Sequence, residues 1–203
     1  MTIDLPAVAF RPTRPMLVDS VSISRAGNRA VGFVEYADPF WQISMQTAPL
    51  SASELMLAQA FAAQARTGRV TVVWRPVDIC LPQAYWGNPG AAAIADDGNL
   101  VSVTNGFTVA LNGVANGLKL MPGDRFSLAK DGYRSFHQVV VGGVAAAGAI
   151  ALTVDPPVPG YLTAGAVAKF LRPELNTRVV PGSFTVPDDH WPVATFTLVE
   201  VPR

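Results

Sequence analysis

Between residues 99 and 172 the chain is cut into short apolar runs. In order these are "NLVSVT", "GFTVAL", "GLKLMPG", "DRFSLA", "RSFHQVVVG", "AIALTVD" and "AVAKFLR", separated by Gly, Asn-Gly, Gly-Asp and Asp-Gly. Runs this short suit strands and are too short for helices, while the Asn-Gly and Asp-Gly pairs supply the positive φ that tight hairpins need. A stretch of about 75 residues built this way, with no helical period inside it, predicts a small barrel or sandwich.

The flanking segments follow different rules. "SVSISRAGNRAVGFVEY" (20–36) reads as a hairpin: Val21 and Ile23 alternate with serines, Ala26-Gly27-Asn28 turns the chain, and Val31 and Phe33 resume the apolar positions. In "FWQISMQT" (40–47), Trp41, Ile43 and Met45 point one way and Gln42, Ser44 and Gln46 the other, a strand with one buried face. The period then changes. Ser51 and Glu54 form an S-x-x-E capping box, Leu57, Ala60, Phe61 and Gln64 fall at helical spacing, and Gly68 stands where a helix would stop. The spacing predicts one helix over about 52–66. "RVTVVWRP" (69–76) is a β-branched strand closed by Pro76, and 77–98 is a Pro-, Gly- and Ala-rich loop.

The last segment, "ATFTLVEV" (194–201), alternates like the first block and unlike the barrel. The chain is therefore expected to return to its first sheet. The fold class is mainly β with one α-helix: a β-sheet or sandwich domain from 1–95 and 173–203, with a small β-barrel inserted at 96–172. Insertions of this kind succeed at surface loops.

Composition bears on function. Half of the 203 residues are hydrophobic, 15% are charged, and the formal net charge is zero. A protein that holds nucleic acid by neutralising phosphates shows a basic excess, which is missing here. A sparse polar surface without net charge suits a chain that spends its life against other protein. The single cysteine, Cys80, excludes an intramolecular disulfide. The N-terminal segment lacks the apolar core of a secretory signal, and no run is long enough to span a membrane. Assembly in a cytoplasm is the expectation.

No chemical signature emerges. His137 in "RSFHQVVV" reads as a structural or solvent-facing strand residue. Asp188, Asp189 and His190 in "PDDHW" resemble a metal or acid–base cluster, but adjacent loop residues rarely converge on one ion, and an exposed turn before Trp191 is the plainer reading. Cys80, with no basic neighbour closer than Arg75, reads as a buried small hydrophobe rather than a nucleophile. "GNPGAAA" and "VVVGGVAAAG" match neither phosphate-binding loop, and Asp96, Asp97 and Asp124 fit turns. No catalytic, metal or cofactor site is expected. The candidate interaction residues are Tyr85, Trp86 and Trp191, loop aromatics that could stack on sugars or a partner protein, or cap the ends of the core.

Two segments carry a resemblance. In "FWQISMQTAPLSASELMLAQAFAAQARTGRVTVVWRP", an aromatic strand, a Thr-x-Pro-Leu turn, one helix and a strand ending in Arg-Pro follow one another. In "LMPGDRFSLAKDGYRSFHQVV" and "GAIALTVDPPVPGYLTAGAVAKFLRP", a Gly-Asp turn, an aromatic-x-Leu strand, "VDPPV" and a final strand recur in order. This layout, over about half the chain, resembles tail proteins of long-tailed bacteriophages, and more narrowly the distal tail proteins.

The resemblance implies a sheet domain with a helix that builds a ring, a hexamer being favoured. That ring would join the tail tube protein to the tail-tip or hub proteins. It also implies an outward-facing small barrel akin to an oligonucleotide/oligosaccharide-binding fold, and a place in the virion. The chain is shorter than typical members, so the resemblance does not extend to a large receptor-binding appendage. Unpaired sheet edges would be covered by neighbouring subunits. Strand faces bearing Ser, Thr and Gln could line a lumen through which DNA slides unbound. Two alternatives predict other outcomes: a carbohydrate-binding module using the loop aromatics, or a small hydrolase using His137 or His190.

Overall fold

The computed structural model describes residues 1–25, 31–78 and 80–202. The turn expected at Ala26-Gly27-Asn28 lies outside these. In chain order the strands are β1 (Thr2–Asp4), β2 (Met16–Arg25), β3 (Val31–Gln46), β4 (Thr71–Trp74), β5 (Gly98–Thr104), β6 (Thr108–Asn112), β7 (Lys119–Leu120), β8 (Arg125–Lys130), β9 (Tyr133–Val141), β10 (Gly143–Val144), β11 (Ala149–Asp155), β12 (Val167–Lys169), β13 (Leu175–Val179) and β14 (Thr195–Glu200). Helix α1 spans Ala52–Ala65.

The strands divide as the sequence predicts. A mixed sheet has the order β1-β4-β13-β14-β3-β2, in which β1 and β4 are parallel. A closed antiparallel barrel runs β11-β6-β5-β12-β8-β9, and β7 and β10 form a small two-stranded ribbon beside it. The terminal strand β14 does return to the first sheet, pairing Phe196 with Met45 and Leu198 with Ile43. Two strands of that sheet, β1 and β13, carry too few residues or too mixed a pattern to be read locally.

The local chemistry is visible in each element. Ser51 caps α1: its Oγ accepts from the Glu54 N–H, and the Glu54 carboxylate accepts from the Ser51 N–H. Asp131 and Gly132, with φ of 51° and 84°, make the two-residue turn that pairs Lys130 with Tyr133 across β8 and β9.

The largest departure from the sequence reading is β3. The sequence reading ends a hairpin at Tyr36 and starts a separate strand at Phe40, whereas the chain runs as one strand of 16 residues. Register shifts between Val18 and Ser20 and between Ser20 and Val21 put two extra residues on β3. Pro39 lies within the first of these bulges, where no ladder donor is needed.

Each unit has its own core. Phe126, Leu128, Leu111, Leu152, Val154 and Phe170 fill the barrel. Trp41, Ile43, Met45, Trp74, Phe196 and Leu198 fill the space between the sheet and α1, which contributes Phe61 and Ala65. Phe136 belongs to the second core although it stands on barrel strand β9. Its alternation partners Ser135 and His137 are buried on the other side of the same strand.

Candidate assembly surface and the joint to the barrel

The ends of β2 and β3 leave the sheet together. β14 pairs with β3 only over Gln42–Gln46, so among the described residues β3 has β2 as its sole ladder partner from Val31 to Phe40. Directly paired residues share a face. Val21, Ile23, Val31 and Phe33 therefore stand on one side of the ribbon, and Ser22, Ser24, Gly32 and Val34 on the other. Ile23 is 62% exposed, Phe33 67%, Val34 61% and Tyr36 73%. A two-stranded ribbon is marginal in water by itself. This one exposes large apolar side chains whose burial would each contribute about 1.5–3 kcal/mol.

The barrel is held firmly to the sheet that carries this ribbon. The Phe136 ring packs edge-on against Trp41 and Trp74, at 5.5 and 5.6 Å between centroids, and the Trp41 indole N–H donates to the Phe136 carbonyl at 2.7 Å. Beside it, the Glu174 carboxylate meets Arg75 at 3.1 Å, Arg134 at 2.8 Å and Lys169 at 3.5 Å. These cations come from the sheet side, β9 and β12 respectively, so one carboxylate joins three segments. Its hydrogen bonds and the cations hold its pKa below the usual value against the opposing effect of burial. Asn176 on β13 donates to the Gly132 carbonyl, and the two connecting segments are tied by the Arg172 N–H donating to the Cys80 carbonyl.

A cleft of about 200 Å³ opens at the same joint, lined by Asp38 and Phe40 of β3, Pro159 and Tyr161 of the barrel, and Glu200 and Pro202. Burial pushes the Glu200 carboxyl up to about 7, although its carboxylate accepts the Trp41 N–H at 3.0 Å. Burial, then the charge of Glu200, raises the Tyr161 phenol to about 12.

The sequence candidates are dispersed. Tyr85 packs on the barrel core, and its hydroxyl accepts the Lys119 N–H at 2.9 Å, so it serves the barrel's closure. Trp86 is 62% exposed, its indole N–H donating to the Leu81 carbonyl. Trp191 is 58% exposed on the loop before β14, with His190 edge-on against it. The two tryptophans occupy separate loops, one at the barrel and one beside the start of α1, where the Leu50 N–H donates to the Pro192 carbonyl.

Asp188, Asp189 and His190 form an exposed turn, and among the described residues no three His, Cys, Asp or Glu side chains could share a metal ion. Cys80 is partly exposed, not the buried small hydrophobe the sequence suggests, because the connecting segment it stands on runs along the surface. Asp124 does more than shape its turn. Buried, it accepts the N–H groups of Met121 and Gln83, fastening the Tyr85–Trp86 loop to the barrel.

His137 is fully buried. A carbonyl can only accept, so the 2.9 Å contact with Pro156 O puts the ring proton on Nδ1, and the Ser135 hydroxyl donates to Nε2 at 2.6 Å. Burial lowers the imidazole pKa to about 4, the Pro156 bond opposing it. A serine–histidine pair two residues apart on one strand, with neither side chain reachable from solvent, locks the barrel wall.

The exposed ribbon and the Glu174 cluster escape sequence reasoning. The alternation in "SVSIS" signals two faces without saying that both stay uncovered, and the members of the cluster lie far apart in the chain. No known protein family matches the chain, and neither does any curated protein sequence.

Proposed function

We propose that this chain is a structural subunit of the tail tip of a long-tailed bacteriophage. In this reading it forms a ring, with a hexamer favoured, that joins the tail tube protein to the tip or hub proteins. The observation that carries the proposal is the β2–β3 ribbon, which leaves the sheet with free edges and apolar side chains uncovered. Such a surface is a liability in a free monomer and an asset in an assembly. At its other end the sheet adds a second open edge, β1. The firm joint at Phe136 and Glu174 would hold each barrel at a fixed angle on the outside of the ring. The other face of the ribbon, Ser22, Ser24, Gly32 and Val34, carries no charge and suits a lumen that DNA crosses without being gripped, as does the zero net charge. The role is architectural rather than catalytic.

Light scattering on the purified chain, with negative-stain imaging, tests this. The expected result is a ring of about six subunits with a central hole, as head-to-tail contacts give when their rotation closes. A chain that stays monomeric at high concentration and forms no cross-linked oligomers refutes it.

A further inference from the structure

Helix α1 is apolar on more sides than its own chain covers. Ala58, Phe61 and Ala65 face the core, yet Met56, Leu57, Ala60 and Ala63 are exposed, and no charged residue stands between Glu54 and Arg66. Only Gln59 and Gln64 interrupt this exposed side, and an uncharged face carrying Met and Leu is normally covered at least in part. Along its C-terminal half runs a groove of about 230 Å³, lined by Ala62, Ala63, Val179, Pro181 and Phe184, with Arg66 at its lip. Phe184 is held there by stacking on Phe196 at 6.0 Å. The groove is the size of one large side chain.

We infer that this groove receives the apolar face of the β2–β3 ribbon of the next copy of the chain, with Phe33 as the inserted side chain and Glu35 meeting Arg66. The inference rests on the ring reading and deepens it by naming the surfaces that meet.

Three observations support it. First, both surfaces are apolar and uncovered. Second, a charge pair is on offer: Glu35 pairs with Val21 in the ribbon register and so shares the face of Phe33, with Arg25 on the same face at the other side of Phe33, opposite Val31, while Arg66 flanks the groove on the side assigned to Glu35. Among the described residues neither Glu35 nor Arg66 has an ionic partner within its own chain. Third, a chain cannot fill its own groove. The groove lies at the level of Met45, because Phe184 stacks on Phe196 and Phe196 pairs with Met45. The ribbon leaves the sheet at Phe40 and runs the other way. Ribbon and groove are different patches, so the contact is head-to-tail, the kind that generates rings rather than twofold dimers.

Charge reversal tests the pairing. Glu35→Arg and Arg66→Glu each place like charges together and are expected to weaken association about tenfold or more, while the double variant restores it. The readout is sedimentation velocity. Circular dichroism checks that each variant folds.

An independent readout uses a Cys80→Ala background. Equal amounts of Ile23→Cys chains, changed directly opposite Phe33 so that the anchor is kept, and Ala63→Cys chains are mixed and oxidised, and a disulfide-linked dimer is expected only from the mixture. If wild-type rings form but single reversals leave them intact and no cross-link appears, the docking is wrong and the ring reading stands. If both reversals weaken assembly without restoration in the double variant, and no cross-link forms, the docking is again wrong. If the wild-type chain forms no rings, both readings fall.

Discussion

Glu200→Gln should stabilise the protein in alkaline solution and do nothing in acid. The Glu200 carboxyl sits at the sheet–barrel joint with its pKa raised from 4.5 to about 7, chiefly by burial. A folded-state value above the unfolded one means that the folded state holds the proton more tightly. The stability this contributes is fully present below pH 4.5 and is lost as pH rises through 7. The separation corresponds to about 3 kcal/mol, and the side chain's remaining exposure brings the expected effect nearer ~2 kcal/mol.

A glutamine keeps a carbonyl oxygen for the Trp41 N–H and cannot ionise. Urea denaturation at pH 5, 6, 7 and 8 is the assay, followed by tryptophan fluorescence, since Trp41 and Trp74 lie at the joint. Wild type and variant should differ by only about 0.5 kcal/mol at pH 5, where the first part of the loss has occurred. The variant should gain ~2 kcal/mol by pH 8, about 4–8 °C in melting temperature for a chain of this size. A difference that stays constant across the range, or a variant less stable at pH 8, refutes the placement of a poorly solvated carboxyl there.

His137 works in the opposite direction. Its depressed pKa means stability is lost as pH falls from 6.5 through 4. In the Glu200→Gln background we expect about 2 kcal/mol lost between pH 7 and 5, and a further His137→Gln change should flatten that slope; an unchanged slope assigns the titration to another group. Gly142→Ala should destabilise by more than about 2 kcal/mol, because the added Cβ would collide with the Leu120 carbonyl, a backbone atom with no rotamer to yield. Thermal denaturation reads this out, and a shift of under a degree would show that β7 and β10 part easily there.

Much of the architecture is legible locally. The Asp131-Gly132 turn, the Ser51–Glu54 box and the alternation in Trp41, Ile43 and Met45 each depend on neighbours within a few residues, so they can be read without the fold. The same holds for the return of β14, whose alternation matches the sheet's. The candidate aromatics show the limit. A loop tryptophan looks alike whether it stays largely exposed, as Trp86 does, or is drawn into the core, and Tyr85 beside it is tied to the barrel by its hydroxyl's hydrogen bond.

What the sequence by itself determined is where the helix and most of the strands form, though not β1, β13 or the full length of β3, where the Asp131-Gly132 hairpin turns, and that the strands have two unlike faces. Period and turn chemistry are properties of a few consecutive residues. The tertiary structure alone decided which faces are covered. On β9 it turned Phe136 outward to the sheet and His137 into the barrel, although alternation treats the two faces alike. It left the apolar side of the β2–β3 ribbon in solvent, gathered Arg75, Arg134 and Lys169 around Glu174, and half-buried the carboxyl of Glu200. Each of these depends on residues tens of positions apart arriving at one place, and burial, the dominant force on them, is set by that meeting.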